Sequence, residues 1–122
     1  MGSTTFSGPV TSEDGFVGTI SGAFKGDVQT VTTSTAANLT TLSTVMAPPG
    51  GGNLAVTLAD GYAGQLKILT VSSTGGGSAV VTPTTFANGS TLTFNAAADT
   101  CMLLFVATVG WTLVSDRSVT VA

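Results

Sequence analysis

The chain has 122 residues with a formal net charge of −3, and 7% of its residues are charged, against roughly 25% in an ordinary globular domain. Its three basic residues exclude a nucleic-acid-binding role, because such binding requires several neutralised phosphates. It contains no histidine and one cysteine, so it lacks the ligands that transition metals prefer, and we expect no metal site and no cofactor.

The first 26 residues differ in pattern from the rest of the chain. Single apolar residues stand among Gly and Ser without steady alternation, which predicts an extended N-terminal arm (1–26) in front of a β-rich body (27–122). We expect these residues to pack along a groove, either on the chain's own body or on another subunit, and their spacing does not choose between the two. The candidate anchors of the arm are Phe6, Pro9, Val10, Phe16, Ile20 and Phe24.

From residue 27 onward the residues favour β-strands. Thr and Val suit a pleated surface, while good helix formers are scarce and form no 3.6-residue stripe. Gly and Pro divide this part into runs of strand length, and Asn88-Gly89 predicts a tight hairpin. We predict an all-β fold, a compact antiparallel β-sandwich or barrel of about eight or nine short strands. The predicted strands are 28–32, 39–46, 54–58, 65–72, 79–83, 91–95, 102–108 and 111–115, and a ninth is left open at 118–121.

The run from Cys101 to Ala107 is apolar on both faces. Its odd-numbered residues point one way and its even-numbered residues the other, whereas a strand with one solvated face alternates apolar with polar. Either another subunit covers the second face, or the strand is central within the monomer. Trp111 is an interface anchor or a core or rim residue of one subunit. The candidate subunit-interface residues are Leu103, Leu104, Phe105 and Trp111.

The sequence contains no recognisable signal for a membrane or for catalysis. The longest apolar run is far shorter than the roughly 20 residues that span a bilayer, and the first residues lack the basic and apolar regions of a signal peptide. Nucleophilic serine or threonine needs a base such as histidine. Turn roles explain most aspartates, and Cys101 is expected to be buried. We therefore expect no membrane partner and no enzymatic activity. The alternative is an enzyme that uses a pair of carboxylates.

Several segments together resemble small β-rich virion proteins of tailed bacteriophages, notably marine phages. The resemblance covers roughly the second half of the chain and its first ten residues. The segments are TTFSGPV (4–10), GQLKIL (64–69), AVVTPT (79–84), GSTLTF (89–94), LLF (103–105) and GWTLVS (110–115).

This resemblance implies a head decoration, or capsid cement, protein. Such a protein is a homotrimer on the outer surface of the virion that binds the major capsid protein and stabilises the expanded head, and the arm would be its capsid-binding segment. Families of this kind have no catalytic residues to transfer. The alternative is a receptor- or glycan-binding knob or fibre module of a phage tail. Such a module would need an exposed aromatic platform, and the chain's single tryptophan, Trp111, and single tyrosine, Tyr62, count against it.

Overall fold

The computed structural model describes residues 2, 5, 7–9, 11, 21–23 and 25–122, and these residues form strands and loops. No helix in the described part is long and apolar enough to cross a membrane. The strands are β1 (Val28–Val31), β2 (Thr35–Ala37), β3 (Ser43–Met46), β4 (Leu54–Leu58), β5 (Leu66–Val71), β6 (Ala79–Pro83), β7 (Leu92–Phe94), β8 (Thr100–Val106), β9 (Gly110–Arg117) and β10 (Thr120–Val121).

The strands form two five-stranded sheets, which confirms the all-β prediction. Sheet A has the order β1-β3-β5-β8-β9, and sheet B has the order β10-β7-β6-β4-β2. From β1 to β6 the chain alternates between the sheets, so each connection crosses the sandwich instead of turning back within one sheet. Strands that follow one another within a sheet are therefore parallel there, as β1 with β3 and β4 with β6.

The sheets are consequently mixed, and the prediction of an antiparallel sandwich is wrong for the pairings among the first six strands, which are all parallel. The pairings that involve β7 to β10 are antiparallel, both between consecutive strands, as β6 with β7 and β8 with β9, and between β5 and β8. Asn88-Gly89 lies within the 84–91 connection between β6 and β7, so the predicted tight hairpin is also wrong. That connection is long because it passes beside the start of β9, where Ala87 N–H donates to Trp111 O at 2.9 Å.

The core lies between the two sheets and follows the two-residue period of the strands. In β4, Leu54, Val56 and Leu58 are buried while Ala55 and Thr57 are exposed. Leu69, Val71, Leu92 and Phe94 belong to the same buried cluster. Burial of such side chains contributes roughly 1.5–3 kcal/mol each, so this apolar layer is the main source of stability.

Glycine-rich connections close one end of the sandwich. The segment 47–53 joins β3 to β4, and 72–78 joins β5 to β6. The two segments lie against each other, with Gly51 N–H donating to Gly75 O and Leu54 N–H to Ser78 O, both at 2.8 Å. Stacking of these loops keeps β4 and β6 in the parallel register that continues from Leu54 to Leu58.

Candidate docking surface

The outer face of sheet A, which points away from sheet B, is the main candidate for a functional surface. The strand register places Val28, Ser43, Ile68, Met102 and Ser115 side by side in one row across all five strands. None of these five side chains belongs to the buried core. The sheet therefore presents a continuous outward row.

Most of the larger side chains on this outer face are apolar. Val28 and Leu66 are 57% and 45% exposed, and the others are half-buried by their neighbours. We call this set the apolar face; its members are Val28, Val45, Leu66, Ile68, Met102, Leu104 and Val106.

A shallow depression of about 380 Å³ lies at one part of the apolar face. Ile68 and Met102 line it from β5 and β8, while Ser115 and Arg117 line it from β9. Arg117 is the charged residue in a second row across sheet A, which also contains Thr70 and Thr100. Asp116 also lines the depression, so its β9 side carries charges of both signs, while Ile68 and Met102 make its other side apolar.

The hydroxyl of Thr112 adds a second feature to the same face. Thr112 lies directly opposite Leu104 in the β8–β9 pairing. Its Oγ1 is buried and has no hydrogen-bond partner among the described residues. An unsatisfied buried hydroxyl is unfavourable, so Thr112 is a local cost in the β8–β9 packing.

Three of the four predicted interface residues lie inside the chain's own core, and for them the interface prediction is wrong. Leu103 and Trp111 are completely buried, and Phe105 is 8% exposed, because sheet B covers the inner face of sheet A. Leu104 alone of the four is on the outer face, half-buried. The doubly apolar strand β8 thus has its inner face covered within the monomer, and coverage of its outer face by another subunit stays a prediction.

Trp111 is held by specific contacts in the core. Its Nε1–H donates to Ala59 O at 2.9 Å, and its ring meets that of Phe105 edge-on at a centroid distance of 5.2 Å. Trp111 is therefore not available for stacking on a sugar. Tyr62, the other aromatic candidate, is 72% exposed.

Most of the predicted arm anchors lie outside the described residues. These are Phe6, Val10, Phe16, Ile20 and Phe24. Pro9 is described and exposed. The prediction that the arm contacts a partner therefore stays a prediction.

Three of the described aspartates hydrogen-bond loop or turn residues, the kind of role that their sequence context predicts. Asp99 is buried, and its Oδ2 accepts the N–H groups of Asn95 and Ala96 at 2.8 and 2.9 Å. Asp60 accepts the hydroxyl of Thr85, and Asp116 accepts the N–H of Val119. Within the described residues, no three His, Cys, Asp or Glu side chains lie close enough together to hold a metal ion.

Among the described residues, Cys101 and Lys67 are the two buried titratable groups with a shifted pKa. Burial of Cys101, as predicted, raises the pKa of its thiol to about 12, with a smaller contribution from Asp116. Lys67 is completely buried, which the sequence analysis did not predict. The sequence did contain a signal for this burial: Lys67 lies two residues before Leu69 and therefore on the same, inward-facing side of β5. Burial lowers the pKa of Lys67 to about 8.

The chain was compared with protein families, with curated proteins and with solved structures. No protein-family model matches it, and neither does any curated protein or solved structure.

Proposed function

We propose that the protein is a structural virion component, a homotrimeric decoration protein that binds the outside of a bacteriophage head and stabilises its expanded form. The observation that carries the proposal is the apolar face of sheet A. The core between the sheets is complete without this face, so its apolar side chains are not needed to fold the monomer. An apolar sheet face of this kind is typical of a surface that another protein covers.

Self-association is the most direct use of the apolar face. Burial of apolar surface stabilises an assembly by roughly 25 cal/mol per Å². Three copies around an axis would cover Leu104 and Met102 of each chain. Because Arg117 is the charged side chain in these rows, assembly would depend mainly on apolar contact and little on salt.

The capsid part of the proposal is supported by the resemblance described above and by the chain's composition. A trimer carries three arms, and linked weak contacts multiply through effective concentration. A protein with 7% charged residues is suited to attachment through backbone pairing and apolar contact. The glycan-binding alternative has less support, because the single tryptophan, Trp111, is buried and cannot serve in an exposed aromatic platform.

The first experiment measures the mass of the purified chain in solution by light scattering at micromolar concentration. We expect a species of three times the chain mass of 12.0 kDa. Leu104→Ser should shift it toward monomer, since it places a hydroxyl in the apolar face. Val80→Ser is the matched control, because Val80 is a half-buried valine of β6 in the other sheet. A wild-type monomer would contradict the trimer.

The second experiment mixes the protein with expanded, undecorated heads built from the capsid protein of the same genome. We expect the protein to cosediment with the heads, to remain bound in 0.5 M salt, and to bind less after deletion of residues 1–26. Absence of cosedimentation would contradict the capsid role, and equal binding after the deletion would contradict the arm's part in it.

A further inference from the structure

The two sheets have four edge strands, and three of them are protected against further pairing. An unprotected edge offers rows of N–H and C=O groups to another strand, so folded proteins usually cover it, shorten it or place charges on it. The edges are β1 and β9 in sheet A, and β10 and β2 in sheet B.

The β9 edge is covered over its first half and interrupted over its second. Trp111 N–H donates to Thr85 O at 3.0 Å, and Leu113 N–H donates to Asn88 Oδ1 at 2.8 Å. Beyond them the β8–β9 register shifts, and the strand ends in Asp116 and Arg117. A bulge and charges are common protections of an edge.

The edges of sheet B are short, and one is also capped by a side chain. β10 has two residues and β2 has three. The side-chain amide of Gln29 lies beside β2 like the peptide group of a next strand. Its Nε2 donates to Ala36 O at 3.0 Å, and its Oε1 accepts Asn38 N–H at 2.9 Å.

At β1, none of these protections is found among the described residues. Toward β3 it uses the backbone of Asp27 and Val31, which accept Ser43 N–H at 3.4 Å and Ala47 N–H at 2.9 Å. Because backbone groups alternate in direction along a strand, the N–H and C=O groups of Val28 and Thr30 point away from β3. The strand reads VQTV, with no proline and no charge, and no described strand pairs with its outer side.

We propose that the outer edge of β1 accepts an extended peptide strand from the protein's partner. This inference rests on the proposed function, in which that partner is a capsid subunit. Val28 and Thr30 together offer two donors and two acceptors, which is the recognition pattern of strand addition. The added strand would continue sheet A, so a residue of the partner would lie beside Val28, which is 57% exposed. We expect that residue to be apolar.

Substitution of Thr30 tests the edge directly. Thr30→Pro removes an outward N–H without removing a β1–β3 hydrogen bond, and proline is tolerated on edge strands. We expect it to reduce binding to expanded heads at least tenfold. The matched control, Thr30→Val, retains the N–H and should bind within about twofold of wild type. If the wild type binds heads and Thr30→Pro binds them equally well, the inference is overturned and the proposed function stays intact.

Amide hydrogen exchange of the unaltered chain gives an independent measurement, which decides if Thr30→Pro fails to fold. In the free protein, the amides of Val28 and Thr30 should exchange fast and that of Val31 slowly. On heads, Val28 and Thr30 should become protected by at least tenfold. Absence of that protection in bound protein would overturn the inference. So would concentration-dependent protection in the free protein, which would mean that a second copy occupies the edge. Failure of the wild type to bind heads would reject both proposals.

Discussion

The ammonium group of Lys67 donates to the carbonyl oxygen of Thr41 at 2.9 Å and to its hydroxyl at 3.2 Å, inside the sandwich. These two neutral oxygens of one threonine do not compensate the loss of water around a positive charge. Burial accordingly lowers the pKa of Lys67 from 10.5 to about 8. The charged form of Lys67 is thus disfavoured in the folded chain, whereas in the unfolded chain the lysine has its ordinary pKa.

Lys67 should therefore make the protein more stable as the pH rises from about 8 to 10.5. In that interval the folded chain has released a proton that the unfolded chain still holds, so the free energy of unfolding increases with pH. A pKa of about 8 against 10.5 corresponds to about 3 kcal/mol at most. Urea denaturation at several pH values measures the effect.

The control for this prediction is Lys67→Met, which retains most of the side-chain volume. The wild type should gain stability relative to this variant between pH 8 and 10.5, a comparison in which the opposing contribution of Cys101 cancels. The variant should be the more stable of the two at pH 7, where the lysine is charged in the folded and in the unfolded chain. A wild-type profile that does not differ from that of Lys67→Met would contradict this account.

Cys101 should oppose Lys67 at higher pH and should be chemically inert in the folded protein. Its thiol has a pKa raised from 9.0 to about 12, so above pH 9 the unfolded chain loses a proton that the folded chain keeps, and stability falls. We expect a thiol reagent at pH 8 to modify Cys101 at least 100-fold more slowly than it modifies an exposed cysteine. A Cys101→Ala chain with Ser72→Cys supplies that comparison, since Ser72 is exposed. Equal rates would show that Cys101 is accessible.

The all-β fold could be predicted from the sequence because composition and turn signals agree with each other. β4 and β6 have the predicted bounds, 54–58 and 79–83, since each is a short, mainly apolar run with glycine or proline near its ends. The strand predicted at 39–46 begins only at Ser43. There Asn38 Oδ1 accepts the N–H and hydroxyl of Thr41, and this side-chain turn replaces the strand.

Neither the parallel pairing of the strands nor the side of the sheet A strands that faces the core could be predicted. Whether two strands pair in parallel depends on whether the loop after the first strand crosses to the other sheet or turns back, and a glycine-rich loop can do either. In β5, Lys67 and Leu69 point inward while Leu66 and Ile68 point outward. Apolar residues therefore occur on both sides of the strand and do not identify the side that faces the core. The same ambiguity in β8 led to the wrong placement of Leu103 and Phe105 at an interface, although it correctly indicated an apolar outer face.

Gly77 should tolerate no side chain, because the two glycine-rich loops approach too closely there. A Cβ on Gly77 would overlap the carbonyl oxygen of Gly52, and backbone cannot move aside as a flexible side chain can. We expect Gly77→Ala to lower the free energy of unfolding by about 2–3 kcal/mol. Gly50→Ala is the control, since the nearest atom to its Cβ is 4.0 Å away, and it should cost less than about 1 kcal/mol. Equal effects of the two substitutions would contradict the loop packing.

Gln29 should stabilise the sandwich by closing it at the β1–β2 side. Besides its two bonds to the backbone of Ala36 and Asn38, its Oε1 accepts the hydroxyl of the buried Thr44 at 2.9 Å. Gln29→Leu leaves these groups unpaired, and we expect a loss of about 2 kcal/mol. It also uncovers the β2 edge, so the variant should self-associate more readily than the wild type in light scattering.

Gln29→Glu separates the donor of this amide from its acceptor. At pH 7 the carboxylate still accepts from Asn38 and Thr44 but faces the carbonyl oxygen of Ala36, so the variant should be less stable than the wild type by about 1–2 kcal/mol. Below about pH 4, the protonated acid regains a donor for Ala36 O, and the difference from the wild type should narrow. Urea denaturation midpoints of both proteins at pH 7 and pH 4 measure this difference. The acid sensitivity that the two proteins share cancels when one midpoint is subtracted from the other. A difference that is the same at both pH values would mean that the Nε2–Ala36 hydrogen bond does not contribute to stability.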